Sequence, residues 1–144
     1  MENISTQIFC HWKTRAVSIN GKIITISKFV YDLKRDEEEP GNNQDIIDEC
    51  KGVKRFQWGD DSPGTNCLAL ACCFYVGVKW VMCRFFMREL TQAQQGDIRL
   101  NYDYATLKAG YLYSEELFAK EFTEHMDKFG AIPVNEESED KQDN

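Results

Sequence analysis

Cys67 and His11 are the residues whose types could support nucleophilic chemistry in this chain. A thiol in the first turns of a helix is drawn toward thiolate by the helix dipole, and an imidazole within reach would take its proton. Cys67 lies just after Ser62 and Pro63, which mark a helix start. Its neighbours Leu68, Ala69, Leu70 and Ala71 are apolar, and an apolar setting raises a thiol pKa and leaves it inert. Asp60 and Asp61 add two carboxylates at the same mouth. Those three residues define the place where a small ligand-binding domain or enzyme would do its work. The free N–H groups of a helix start could hold an anion, but Asp60 and Asp61 would repel phosphate and no glycine-rich phosphate loop precedes them.

Metal chemistry needs Cys or His pairs at ligand spacing. No such pair occurs; Cys72, Cys73 and His125 would have to converge through the fold. No cofactor is therefore expected. Cys72 and Cys73 are adjacent and point apart, which is poor geometry for a bridge. The six cysteines read as reduced, small apolar residues of an intracellular, cytoplasmic protein, because "MENISTQIFCHW" has neither the basic nor the apolar region of a signal peptide.

Two aromatic groups could serve recognition. Phe56 and Trp58 precede Gly59 in "RFQWGDD" and could form a binding corner with Asp60 and Asp61. They could equally staple the helix entrance, with Gly59 taking a backbone angle other residues avoid. Tyr102, Tyr104, Tyr111 and Tyr113 are four of the six tyrosines, gathered within twelve residues. Tyrosine offers a large contact area with few rotors, which suits an interface with another protein. The alternative is that these rings pack over the core with wet hydroxyls. Lys51, Lys54, Arg55, Lys79, Arg84 and Arg88 could form a basic patch, but in an acidic body they read as a solvated face.

The elements that must position these residues follow from period and punctuation. "QIFCHW" is a short strand, and "AVSINGKIITI" is a hairpin turning at Asn20-Gly21. Ser27 could cap a short helix, Asp36–Asn43 reads as a loop, and Asp45–Cys50 as a helical turn. A long central helix starts at Ser62-Pro63. From Cys67 to Cys83 only Lys79 is charged, so this helix must be covered all round. At 17 residues with Gly77 and Lys79 inside, the run is short for a membrane span, and none is expected. "DIRLNYDY" alternates with period two, which favours a strand over a helix. Ser114 would cap a last helix, with Phe118, Phe122, Met126 and Phe129 facing the small residues Ala69, Cys73 and Gly77 of the central one, and Gly130 as its stop. The expected fold is α+β. A small antiparallel sheet from the N-terminal third packs on a long buried helix and a C-terminal amphipathic helix. Residues 1–134 form one domain and residues 135–144 a disordered acidic tail.

Phe56, Trp58, Gly59 and the run Leu68-Ala69-Leu70-Ala71 resemble the uncharacterised family called domain of unknown function 6166. Looser likeness extends to "VSINGKI" and "LTQAQQGDI". Its members are small proteins of bacteria, archaea and their viruses, and carry an aromatic and a second Gly where Asp60 and Asp61 stand here. The resemblance implies a compact fold and a viral or prokaryotic setting, with no activity to carry over.

The net charge of −7, of which the tail Asn135–Asn144 contributes −4, argues against binding along a phosphate backbone. It suits a protein whose partner is another protein, or one that imitates a polyanion. The expected function is a non-enzymatic interaction module of a virus or mobile element, in its most concrete form an acidic inhibitor of a host nucleic-acid-processing enzyme. A ligand-binding or enzymatic domain using Asp60, Asp61 and Cys67 is the alternative from another class, and self-association the third.

Overall fold

Asn20 and Gly21 turn the chain through a two-residue hairpin, with φ of 52° and 84°, the positive angles such a turn demands. Asn20 also fastens the turn sideways: its Oδ1 accepts from the Gln7 N–H at 2.9 Å, and its own N–H donates to Gln7 O at 2.8 Å. The computed structural model describes residues 5–36 and 42–129. Strands β1 (Ser5–Cys10), β2 (Val17–Ile19) and β3 (Lys22–Ile24) lead to helices α1 (Ile26–Arg35) and α2 (Asn42–Glu49). Helix α3 (Pro63–Val76), a 3-10 turn (Trp80–Met82) and α4 (Cys83–Gln92) follow, and β4 (Ile98–Asp103) runs into α5 (Tyr104–Phe129). The antiparallel sheet has the order β3-β2-β1-β4. The fold is α+β, and the sheet expected from the N-terminal third gains a fourth strand from the period-two segment near residue 100.

One face of the sheet is dry. Ile8 pairs across to Ile19 and Leu100, and Cys10 to Val17 and Ile98, so that alternate residues of each strand point at α3. Leu68 through Cys73 of α3 are all buried. Helix α1 joins from the side through Phe29 and Leu33, and Tyr75 of α3 donates to Asp32 Oδ2 at 2.5 Å. The N-cap of α1 is Thr25, whose hydroxyl accepts from the Lys28 N–H at 3.0 Å, so Ser27 lies inside the helix. Helix α2 starts at Asn42, within the segment read as a loop, and Asn43 Nδ2 satisfies the exposed end of α1 by donating to Leu33 O at 3.1 Å.

The central helix is two helices. Gly77, at φ 85°, ends α3 in the left-handed conformation, and the N–H groups of Gly77 and Val78 both donate to Cys73 O at 3.0 Å. That is the usual way of satisfying the last carbonyls where a glycine stops a helix. The stretch from Val78 through the 3-10 turn then redirects the chain, and α4 packs back on α3. An apolar run thereby covers itself.

The last helix also differs from its sequence reading. It begins at Tyr104, ten residues before Ser114, and its neighbours are α4, the 3-10 turn and β4 rather than the small-residue face of α3. Ser114 is a buried interior position, one turn from buried Gly110. Gly130 and the tail Asn135–Asn144 lie outside the described residues. So do the side chains of His125, Met126 and Phe129.

Gly110 shows why α5 can lie so close to α4. A Cβ there would sit 2.7 Å from ring carbons of Phe85, which is itself buried and has nowhere to turn. Gly110→Ala should gain about 1 kcal/mol of helix propensity. It should lose more to overpacking, which costs about 1–3 kcal/mol in a filled core. The expected result is a lower urea midpoint with an unchanged slope.

Candidate functional site

The loop before α3 closes on itself. Phe56 and Trp58 are buried, Trp58 completely. Trp58 Nε1 donates to Gly96 O at 2.7 Å, and the edge of Trp12 meets its ring at 5.4 Å between centroids. The Arg15 guanidinium lies 3.7 Å from the Trp12 ring centre and 5.6 Å from that of Trp58. Gly59, at φ 84°, sends its N–H to Leu90 O at 2.8 Å, and a Cβ would collide with Gln95 Cγ at 2.5 Å. Phe56, Trp58 and Gly59 thus staple the helix entrance to the end of α4. The two aromatic rings offer no outward surface.

Asp60 is occupied by the helix start. Its Oδ1 accepts from the Thr65 hydroxyl at 2.7 Å, the Ser62 hydroxyl at 2.8 Å and the Ser62 N–H at 3.1 Å. The Thr65 hydroxyl does most to hold this carboxyl below the usual carboxylate range, with Ser62 adding to it. Ser62 is the N-cap residue, yet its hydroxyl makes no cap bond to the helix backbone; it donates instead to Asp60. Asp61 is exposed and takes no part.

Cys67 faces Cys50, not His11. The two Sγ atoms are 2.7 Å apart. The His11 ring lies 3.9 Å from Asp97 and packs against Phe9, on the open side of the sheet. Burial pushes the Cys10 and Cys83 thiols up to about 12 and drives Cys72 and Cys73 higher still. All six cysteines stand as free thiols. Among the described residues no group of three or more His, Cys, Asp or Glu could hold a metal ion. Among them, too, no helix is long and apolar enough to cross a membrane.

The four tyrosines do not share a face. Tyr102 is in the core, edge-on to Phe85 and Phe86, and donates to Glu89 Oε1 at 3.1 Å. Burial, then the nearby Glu89 carboxylate, raises its pKa above that of a free phenol. Tyr104 is 67% exposed at the start of α5. Tyr111 lies near Lys79, and Tyr113 under the Arg88 guanidinium at 4.2 Å from its ring centre. Two residues apart on a helix, Tyr111 and Tyr113 leave it in opposed directions.

A concavity lies elsewhere. A trough of about 660 Å³ opens between α2, α3, α4 and α5. Ile46, Leu70, Met87 and Leu117 supply apolar lining, with Trp80 at one end. Glu49, Arg84, Arg88 and Glu121 supply charge, and Arg84 Nε donates across it to Glu121 Oε1 at 3.1 Å. Asn66 Nδ2 donates to Glu49 Oε1 at 2.7 Å, and the Cys83 thiol approaches Asn66 Oδ1 at 3.7 Å. On α5, Phe118 and Phe122 stand 50% and 57% exposed, and the Arg84 guanidinium, which also lines the trough, lies 5.3 Å from the Phe118 ring centre.

The sequence reading placed Phe118 and Phe122 in the core because their spacing is that of a buried helical stripe. The available signal for the trough was Arg84 and Arg88 one turn apart, flanking Met87, in a segment otherwise apolar. Compared with known proteins, the chain matches no family model, no curated protein and no solved structure.

Asp60→Ala should destabilise the fold by about 1–2 kcal/mol at pH 7, the usual cost of removing a helix-start acceptor. An unperturbed Asp titrates near 3.9, and the folded value lies lower. The stabilisation is therefore complete above about pH 4 and is lost as pH falls through the folded value. Urea titrations of both proteins from pH 7 downward should show their midpoints converging in acid.

Proposed function

We propose that this chain is a non-enzymatic protein-interaction module, and that its partner lays an amphipathic helix along the face made by α4 and α5. The exposure of Phe118 and Phe122, one turn apart on α5, carries this reading, with Phe118 against the Arg84 guanidinium that also lines the trough. Single apolar residues scatter over any protein surface, but a contiguous patch marks a contact. A concavity lined by both apolar and charged side chains between helices suits an amphipathic helix laid in a groove. Arg84, Arg88, Glu49 and Glu121 carry both signs, which would set the partner's direction and register more than its affinity. At the mouth of α3, the raised Cys67 thiol and the engaged Asp60 favour binding over nucleophilic catalysis.

The more specific form of the proposal is an acidic inhibitor from a virus or mobile element. It would act in the host cytoplasm and occupy the basic site of a nucleic-acid-processing enzyme. Its support is the net charge of −7 and the acids of Asn135–Asn144. Attraction of that kind weakens steeply with salt. Binding unchanged at molar salt and after deletion of residues 135–144 would leave the module and remove the mimicry.

The deciding variant is Phe118→Glu/Phe122→Glu. Both side chains are half exposed, so stability should shift by only about 0.5 kcal/mol. Tagged wild-type protein expressed in its host should retain a stoichiometric partner that the variant loses by tenfold or more. Equal retention by a folded variant would refute this docking face. Light scattering that reports two wild-type chains and one variant chain would instead make the occupant a second copy.

A further inference from the structure

Cys50 follows the last residue of α2, and Cys67 lies in the second turn of α3. Both are buried, at 4% and 0% exposure. Their 2.7 Å separation falls between two ordinary distances: a disulfide bond is about 2.05 Å long, and non-bonded heavy atoms rest about 3.5–4.0 Å apart. An approach of about 0.7 Å would close the bond. The neighbouring side chains also tie the two segments together. Asn66 Nδ2 donates to Glu49 Oε1 at 2.7 Å, and these two residues directly precede the two cysteines. A metal between the sulfurs would hold them farther apart: two thiolates on zinc at about 2.3 Å stand about 3.8 Å from each other. Among the described residues, moreover, no group of three or more His, Cys, Asp or Glu could hold a metal ion there.

We infer that Cys50 and Cys67 form a reversible disulfide that staples the end of α2 to the beginning of α3. The oxidant class is a peroxide. With Cys67 donating its S–H, the hydrogen bond holds the Cys50 thiol below its ordinary value and raises Cys67, which burial raises further. Cys50 therefore deprotonates first. Its thiolate attacks one peroxide oxygen; an S–O bond forms, the O–O bond breaks, and the departing hydroxide takes up the proton Cys50 released. The Cys67 sulfur then displaces the sulfenic oxygen. The S–S bond forms, the S–O bond breaks, and the oxygen leaves as water with the Cys67 proton. Two thiols have been oxidised and one peroxide reduced to two waters. Exchange with a dithiol reverses the step.

The test is alkylation of the full chain under denaturing conditions, before and after brief exposure to hydrogen peroxide. The reduced chain should take up six adducts, one for each cysteine. The oxidised chain should take up four, with one cross-linked peptide joining Cys50 to Cys67 in a non-reducing digest. Cys72→Ser should leave that cross-link intact, whereas Cys50→Ser and Cys67→Ser should each abolish it. The oxidised wild type should melt roughly 5–10 °C above the reduced protein, since a loop of this length is constrained in the unfolded chain. Six adducts after peroxide, or a cross-link joining any other pair, would overturn the inference. The peptide map of the wild type decides the matter even if the variants fold poorly.

Discussion

A helix that is apolar on every side has no face to give to water, and α3 is such a helix. Satisfying that requirement takes a different partner in each direction. The dry face of the sheet takes one side, and Phe29 and Leu33 of α1 approach from another. The end of α2 contributes Cys50, and α4 contributes Phe85, Phe86 and Leu90. Covering the helix also explains its length. Gly77 ends it where cover runs out, and the residues that follow return as cover themselves.

Much of this was legible because local rules and tertiary need agreed. Asn20-Gly21 demanded a hairpin and Pro63 a helix start, while the alternation from Ile98 to Tyr102 demanded a strand with one wet face. Gly77 was readable as a stop, yet lay inside a run whose hydrophobicity argued for continuity. The backbone preference won, because a left-handed glycine satisfies carbonyls at no steric cost. Ser114 misled for the opposite reason. It looks like a cap, but burial between α5 and its neighbours decided its state, and a serine tolerates a helix interior.

The candidate surface was less legible than the fold. Sequence periodicity says which residues share a helical face, not whether that face meets protein or water. The stripe of Phe118 and Phe122 has the period of a core stripe and lies in solvent. Tyr102 and Tyr104 are two residues apart, but a strand ends between them, so one joins the core and the other leaves it. At the mouth of α3, the Trp-Gly loop and its carboxylates had the composition of a site. Trp58 and Asp60 are engaged instead with Gly96, Thr65 and Ser62, and Asp61 is left in solvent. Glu49 and Asn66 belong at once to the α2–α3 junction and to the wall of the trough, so rigidity at the junction is also rigidity of that wall.

The three tryptophans occupy two different settings, and the molecule is thereby equipped with its own optical reporters. Trp12 and Trp58 stand edge to face, close enough for their excited states to couple, beside a cationic guanidinium. Their near-ultraviolet dichroism belongs to the loop that joins β1, α3 and the end of α4, and fades only when that junction loosens. Trp80 is partly exposed at the end of the trough, its ring stacked at 6.4 Å on Phe74. Its emission answers to whatever displaces water from that surface. Ellipticity and fluorescence of one unlabelled sample therefore distinguish loss of the fold from occupation of the trough.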